Sequence, residues 1–341
     1  MSRYNLALVL LALASLTPSV AMTQEDFVQF GSRNFMEGEL KYMERGRLYF
    51  KTTATDTIYI EWDDVVSLSC SQLLEVELQN GILFYGTLEE SEEPGKTSLR
   101  RTQDTVAIPL EQVVRITAIE EQFLARFDGT LSAGLNATKA NKNRQFNLGL
   151  DLEYVTRRYE SSLYASTIVS DSQGNETSEQ AVLNIDTRRK LPDRWHTGAL
   201  IGFERNEELG IEMRSTLGWG MGRSLVQTNS RRFILEAGLL YTREEVSDSS
   251  DSADNIESYG FAEYELFSFD NPEIDLTTGL RLIPSLSDWG RLRGEFNLTL
   301  NWEIINDLSW QLTFKNSYDS RPPGEGSNND YSLFTGVAWD I

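Results

Sequence analysis

Strict alternation of apolar and polar side chains is the feature that most constrains this chain, and it is clearest from Leu292 to Phe314. Phe296, Leu298, Leu300 and Trp302 alternate with Glu295, Asn297, Thr299 and Asn301. After the tight turn Ile305-Asn306-Asp307, Trp310, Leu312 and Phe314 alternate with Ser309, Gln311 and Thr313. A period of two means a strand with one apolar and one polar face. Here the apolar face is broad and edged with aromatics while the other face carries charges, which suits a sheet with lipid outside and water inside.

The same alternation begins at Phe127 and runs to Ile341, with Trp339 and Ile341 on the apolar face of a closing strand. Twelve strands are expected. The stretch from Tyr259 to Phe269 is the exception: its period blurs, as a bulge would make it do. Connections after even strands are mostly tight, as at Arg157 to Glu160, Asp270-Asn271-Pro272 and Ile305-Asn306-Asp307. Long ones follow odd strands, at Ser170 to Glu179, Glu244 to Glu257 and Asp319 to Asp330, although Asn206 to Gly210 is short. Short periplasmic turns and long outer loops are the habit of outer-membrane barrels. The expected fold class is all-β: a 12-stranded antiparallel outer-membrane β-barrel over residues 127–341, preceded by two tandem small Sm- or SH3-like barrels. An even strand number puts both barrel ends in the periplasm.

The amino terminus agrees with export. Arg3, the apolar run Leu6 to Leu16, Pro18 and Ser19-Val20-Ala21 read as a signal peptide over residues 1–21, cut after Ala21. The run is too short to span a bilayer as a helix. The single cysteine, Cys70, excludes a disulfide framework within one chain and reads as a small buried thiol. A formal net charge of −21 argues against a nucleic-acid partner, because the phosphate backbone would be repelled.

Residues 22–119 contain a duplication. The run from Asp56 to Leu68 is echoed by Asp104 to Ile116 at an offset of 48 without a gap, and Val28, Gly38 and Leu40 match Val76, Gly86 and Leu88. The copies span 26–72 and 74–119, with turn signals at Glu44-Arg45-Gly46 and Glu93-Pro94-Gly95. Trp62 and Leu110 share one expected core position, as do Val65 and Val113. Residues 120–126 read as a linker. Small barrels of this kind often bind other proteins, so a periplasmic protein partner is expected. The other expected partners are outer-membrane lipid and, during insertion, the barrel-assembly machinery.

Charges on the polar face of the barrel strands, Asp186, Arg188, Glu212, Arg214, Glu236, Arg281 and Glu295, are expected to face the lumen, mostly paired and leaving at most a slender channel. The acidic stretch Glu244, Glu245, Asp248, Asp251, Asp254 and Glu257 reads as a solvated outer loop, with no EF-hand pattern to hold a metal. His196, the only histidine, reads as interfacial. A Ser-His hydrolase would need a serine and an orienting group beside it. Gly218-Trp219-Gly220-Met221-Gly222 is no phosphate loop, since no helix follows; its glycines give room to bulky side chains opposite. No catalytic residue, metal or cofactor is expected.

Leu191-Pro192-Asp193-Arg194-Trp195, the run Phe203 to Arg214, Gly218 to Gly222 and the opening Phe127-Asp128-Gly129-Thr130-Leu131-Ser132-Ala133-Gly134 resemble the family of salt-induced outer-membrane proteins. Ala140-Asn141 stands where that family usually has Gly-Asn. The resemblance implies a barrel, an outer-membrane address and a link to salt or envelope stress. The sequence-level expectation is thus a non-enzymatic barrel that anchors a periplasmic interaction module, with a narrow channel for small solutes or ions as the alternative and an outer-membrane hydrolase as a third, disfavoured reading.

Overall fold

A computed structural model describes residues 26–339 apart from 32–33, 53, 92, 94, 120–126, 139–142, 157, 172–177, 207–210, 247–251, 270–271, 306 and 322–327. The expected leader and linker, and Ala140-Asn141, lie outside the described residues.

The amino-terminal domain holds β1 (Asp26–Phe30), β2 (Asn34–Glu44), β3 (Arg47–Lys51), β4 (Thr57–Glu61), β5 (Val65–Leu78), β6 (Leu83–Glu90), β7 (Lys96–Arg100), β8 (Thr105–Pro109) and β9 (Val113–Ala118). A single 3-10 turn precedes both β5 and β9, at Trp62–Asp64 and Leu110–Gln112. The strand register preserves the duplication: Val28 pairs Leu68 and Met36, and 48 residues on Val76 pairs Ile116 and Phe84.

Two separate barrels are not what forms. The boundary expected near residue 73 falls inside β5, whose first half closes copy one and whose second half opens copy two. The ladders also cross between copies, with Met43 opposite Ile116 and Cys70 opposite Leu88. The result is one nine-stranded sheet around one core, which mixes Leu40, Phe50, Trp62 and Leu68 with Leu88, Leu99, Leu110 and Ile116. Trp62 donates its indole N–H to the carbonyl oxygen of Leu110 at 2.8 Å, so the two equivalent positions meet. A unit of under fifty residues buries too small a fraction of its surface to stand well alone, and sharing a core answers that. Cys70 is buried in it; burial, and then the Asp26 carboxylate, pushes its thiol pKa up.

Residues 127–339 form the expected twelve strands, in a meander: β10 (Phe127–Thr138), β11 (Asn143–Val155), β12 (Tyr159–Asp171), β13 (Ser178–Lys190), β14 (Trp195–Asn206), β15 (Ile211–Gln227), β16 (Arg231–Val246), β17 (Ser252–Ser268), β18 (Ile274–Pro284), β19 (Leu292–Ile305), β20 (Leu308–Asp319) and β21 (Asn329–Trp339). Each strand pairs antiparallel with the next, and among the described residues no ladder joins β10 to β21. The sheet curls into an open barrel. Its outward face is apolar and exposed, with Leu217, Trp219, Leu333 and Trp339 as examples.

The blur from Tyr259 to Phe269 is not a bulge. The β16–β17 and β17–β18 ladders run through it without a shift. Alternation fades because the inward positions Tyr259, Phe261 and Phe267 are themselves large and apolar.

Candidate functional site

The amino-terminal domain sits on the short-turn end of the barrel. Its β2–β3 turn bends through Arg45 and Gly46, both at positive φ, and presses against the β15–β16 turn: a Cβ on Gly46 would lie 2.6 Å from the Asn229 carbonyl oxygen. Arg45 donates to Asp275 at 2.5 Å and lies over the Phe267 ring. Arg47 donates to Glu273 at 2.8 Å and stacks on Phe269 at 3.4 Å. The Asn229 side-chain amide donates to the Val113 carbonyl oxygen at 3.0 Å.

At the centre of this seat is an ion cluster. Arg115 of β9 meets Glu160 of β12 at 2.9 Å, Glu77 at 3.2 Å and Glu75 at 3.4 Å. Lys190 at the end of β13 meets Glu75 at 2.6 Å and Glu160 at 3.0 Å. Glu75 is almost fully buried. Burial alone would lower the Arg115 pKa, but Glu160, Glu77 and Glu75 push it above its ordinary value. Buried charges are tolerable only when each is paired, and here two of the pairs, Arg115–Glu160 and Lys190–Glu75, join one domain to the other.

Between β2 and β9 on one side and the inward barrel face on the other lies a cavity of about 1130 Å³. Strand register puts Arg188, Gly198, Gly220, Gly238 and Tyr259 in one row across five neighbouring strands. Tyr259 lies across these glycines; a Cβ on Gly220 would come within 2.0 Å of its hydroxyl. That hydroxyl donates to Glu236 at 2.6 Å, and the other Glu236 oxygen meets His196 Nε2 at 3.0 Å. His196 is therefore lumenal rather than interfacial. Its ring is housed opposite Gly222, where a Cβ would lie 2.5 Å from Nε2. The glycine run does give room to bulky side chains, as its alternation indicates.

The other expected lumenal charges divide. Asp186, Arg188, Glu236 and Arg281 line the cavity. Arg188 approaches Glu236 at 3.9 Å, Arg281 meets Glu295 at 3.4 Å, and Arg214 is held by Glu204 at 2.9 Å and Glu244 at 3.0 Å. Glu212 departs from the set. The ladder shifts register between Ile211 and Met213, which takes it out of phase with Arg214 and leaves it exposed.

The acidic loop also needs correction, because most of it is strand. Glu244 and Glu245 belong to β16, Asp254 and Glu257 to β17; Asp248 and Asp251 lie outside the described residues. Glu244 and Glu257 face inward and are buried by Arg214 and Arg293, the latter at 2.5 Å. Glu245 pairs with Arg243 at 3.5 Å, and Asp254 accepts the Tyr241 hydroxyl at 2.9 Å. Among the described residues no group of three or more His, Cys, Asp or Glu side chains is arranged to hold a metal ion.

The seat itself was not anticipated. Its sequence signal is the fading alternation of β17, where inward Phe267 meets Arg45 instead of water.

The chain is similar in structure to OccK11 (OpdR) of Pseudomonas aeruginosa, at 9% identity and a TM-score of 0.33, over 80% of this chain and 84% of that one. No curated protein matches it. Residues 131–341, well over half of the chain, match the family described as a protein of unknown function, DUF481, and the chain belongs to that family.

Proposed function

We propose that this protein is a narrow outer-membrane channel whose amino-terminal domain is its periplasmic plug. The observation that carries the reading is the seat, where Arg45, Arg47, Arg115 and Lys190 tie the small domain to the short-turn end above a cavity of about 1130 Å³. Short turns belong on the periplasmic side of such barrels, and an outward band of Leu, Trp and Phe suits lipid. In this reading β10 and β21 meet when the barrel is in a bilayer, because unpaired strand edges are costly in hydrocarbon. The reading assigns His196 a structural part, holding the Glu236 carboxylate at 3.0 Å.

Planar-bilayer conductance of the full mature chain tests this. Rare openings are expected for the wild type and frequent ones when Arg45→Ser and Arg47→Ser loosen the seat. Equal silence from both, with barrel folding verified by heat-modifiable electrophoresis, rules out the channel.

The second reading is a barrel that anchors an interaction module. Phe27 and Phe35 support it, stacked at 5.8 Å on the small domain with Phe35 65% exposed. A periplasmic protein captured by the wild type and lost on Phe35→Ser is its test. The link to salt or envelope stress belongs with either reading and is checked by growth of a deletion strain at raised osmolarity. Lipid and the barrel-assembly machinery are the partners both readings require.

A further inference from the structure

We infer that the lumen, read as a channel above, passes small cations and excludes anions. The inference concerns the field along the path and not a bound ion. Every arginine that strand register turns inward is already in an ion pair, for example Arg214 with Glu204 and Glu244, and Arg293 with Glu257. The pairing leaves carboxylates over. Strands β10 to β12 turn Asp128, Asp151, Glu153 and Glu160 inward, with no lysine or arginine on that face of the three strands. Of these, Glu160 is met by Arg115 and Lys190. Asp128, Asp151 and Glu153 have no cationic partner among the described residues.

On the plug side of the cavity Lys41 is paired with Glu39, and Arg115 with Glu75, Glu77 and Glu160, which leaves Glu44 over. Glu44 at the end of β2 lines it beside Asp128 and Glu153, and among the described residues none of the three is in an ion pair. Tyr42, on the same strand, lies in the same surroundings. Burial, the adjoining Tyr49 and then Glu44, Asp128 and Glu153 push its phenol pKa up to about 12. The inward cation without a carboxylate partner among the described residues is Lys315, on β20. Carboxylate-lined paths raise the local cation concentration and set a barrier for anions, and low-dielectric walls strengthen both effects.

The inference rests on the channel reading, and one experiment separates their failures. The full mature chain, wild type and with Arg45→Ser and Arg47→Ser, is placed in a planar bilayer under a potassium chloride gradient, and the reversal potential is read. Potassium is expected to be preferred over chloride by roughly tenfold, as a lumenal potential of a few kT implies. Asp128→Asn with Glu153→Gln should move that ratio toward unity, and Arg281→Gln should move it the other way. All three positions are solvent-accessible, so the variants are expected to fold. Openings with no preference, or with preference for chloride, overturn the inference and leave the channel standing. An unchanged ratio in the Asp128→Asn, Glu153→Gln variant overturns it as well. Silence in every chain defeats the channel reading and this inference together.

Discussion

The two copies of the amino-terminal repeat agree inside and disagree outside. Their registers superpose at an offset of 48, and Trp62 of one touches Leu110 of the other. The positions that meet the barrel have diverged. Arg115, Glu75 and Glu77 of copy two stand where copy one has Ser67, Phe27 and Gln29. The β2–β3 turn of copy one, Arg45-Gly46, is pressed into the barrel end. Its counterpart around Gly95 has nothing within 4 Å of a Cβ placed there. Packing therefore maintains the repeat while docking is written in surface charge, which can change without disturbing the core.

The severest test of that comparison is to cut the shared core. Trp62→Ala should cost about 3–5 kcal/mol and Leu110→Ala about 2–5 kcal/mol. Amide hydrogen exchange in the intact chain should show protection falling in both copies with either substitution. Loss confined to the mutated copy would mean two independent units after all. Next in size is the buried cluster. Arg115→Met leaves Glu77 without its cation and Glu75 and Glu160 to Lys190 alone, and should weaken the domain and its seat by about 3 kcal/mol, because an unpaired buried carboxylate costs far more than its pair contributes. Ser67→Ala at the equivalent position, a buried hydroxyl without a hydrogen-bond partner among the described residues, should not destabilise the domain. Comparable effects at the two sites would show that docking does not distinguish the copies.

Alternation in the sequence is enough to give the twelve strands, the short-turn end and most of the inward charges, because a period of two assigns faces without knowledge of the partners. It goes wrong where a local irregularity changes phase, as at Glu212. It goes wrong too where composition resembles a loop: the Glu244 to Glu257 stretch looks solvated until Arg214 and Arg293, distant in the chain, are brought beside it. Fusion of the repeats was hidden for a related reason. Nothing between Ser71 and Leu74 says whether a strand ends or bends, and the answer depends on β6 and β9 pairing with the same strand. The docking seat left a trace, the apolar inward residues of β17, which a bulge explains equally well in one dimension.

Smaller effects sharpen the difference at the turns. Arg45→Ser should weaken docking by about 1 kcal/mol, the scale of a half-exposed ion pair with a ring contact. Lys96→Ser, in the counterpart strand, should leave docking unchanged, since its partner Glu93 belongs to its own turn. Cross-linking between the small domain and the β15–β16 turn would report both, and equal loss from the two variants would contradict the asymmetry.

The smallest effect concerns Asp26, whose place in copy two is taken by Leu74. The β5 ladder slips between Cys70 and Leu74, and the Asp26 carboxylate accepts the backbone N–H of Leu40 at 2.9 Å and of Ser71 at 3.2 Å. Burial raises its pKa, and these N–H donors only partly oppose that. A carboxyl raised in the folded state holds its proton there more tightly than in the unfolded chain. The domain is then most stable below the unfolded carboxyl pKa and loses stability as pH rises to the folded one, with no further change above it. Exchange of the Leu40 and Ser71 amides, corrected for intrinsic rate, should report that decline, and Asp26→Asn should flatten it. A slope that persists in Asp26→Asn would assign the pH response to other carboxyls. A flat wild type would mean that the N–H donors cancel the cost of burial, and that copy one's polar start is as well satisfied as copy two's apolar one.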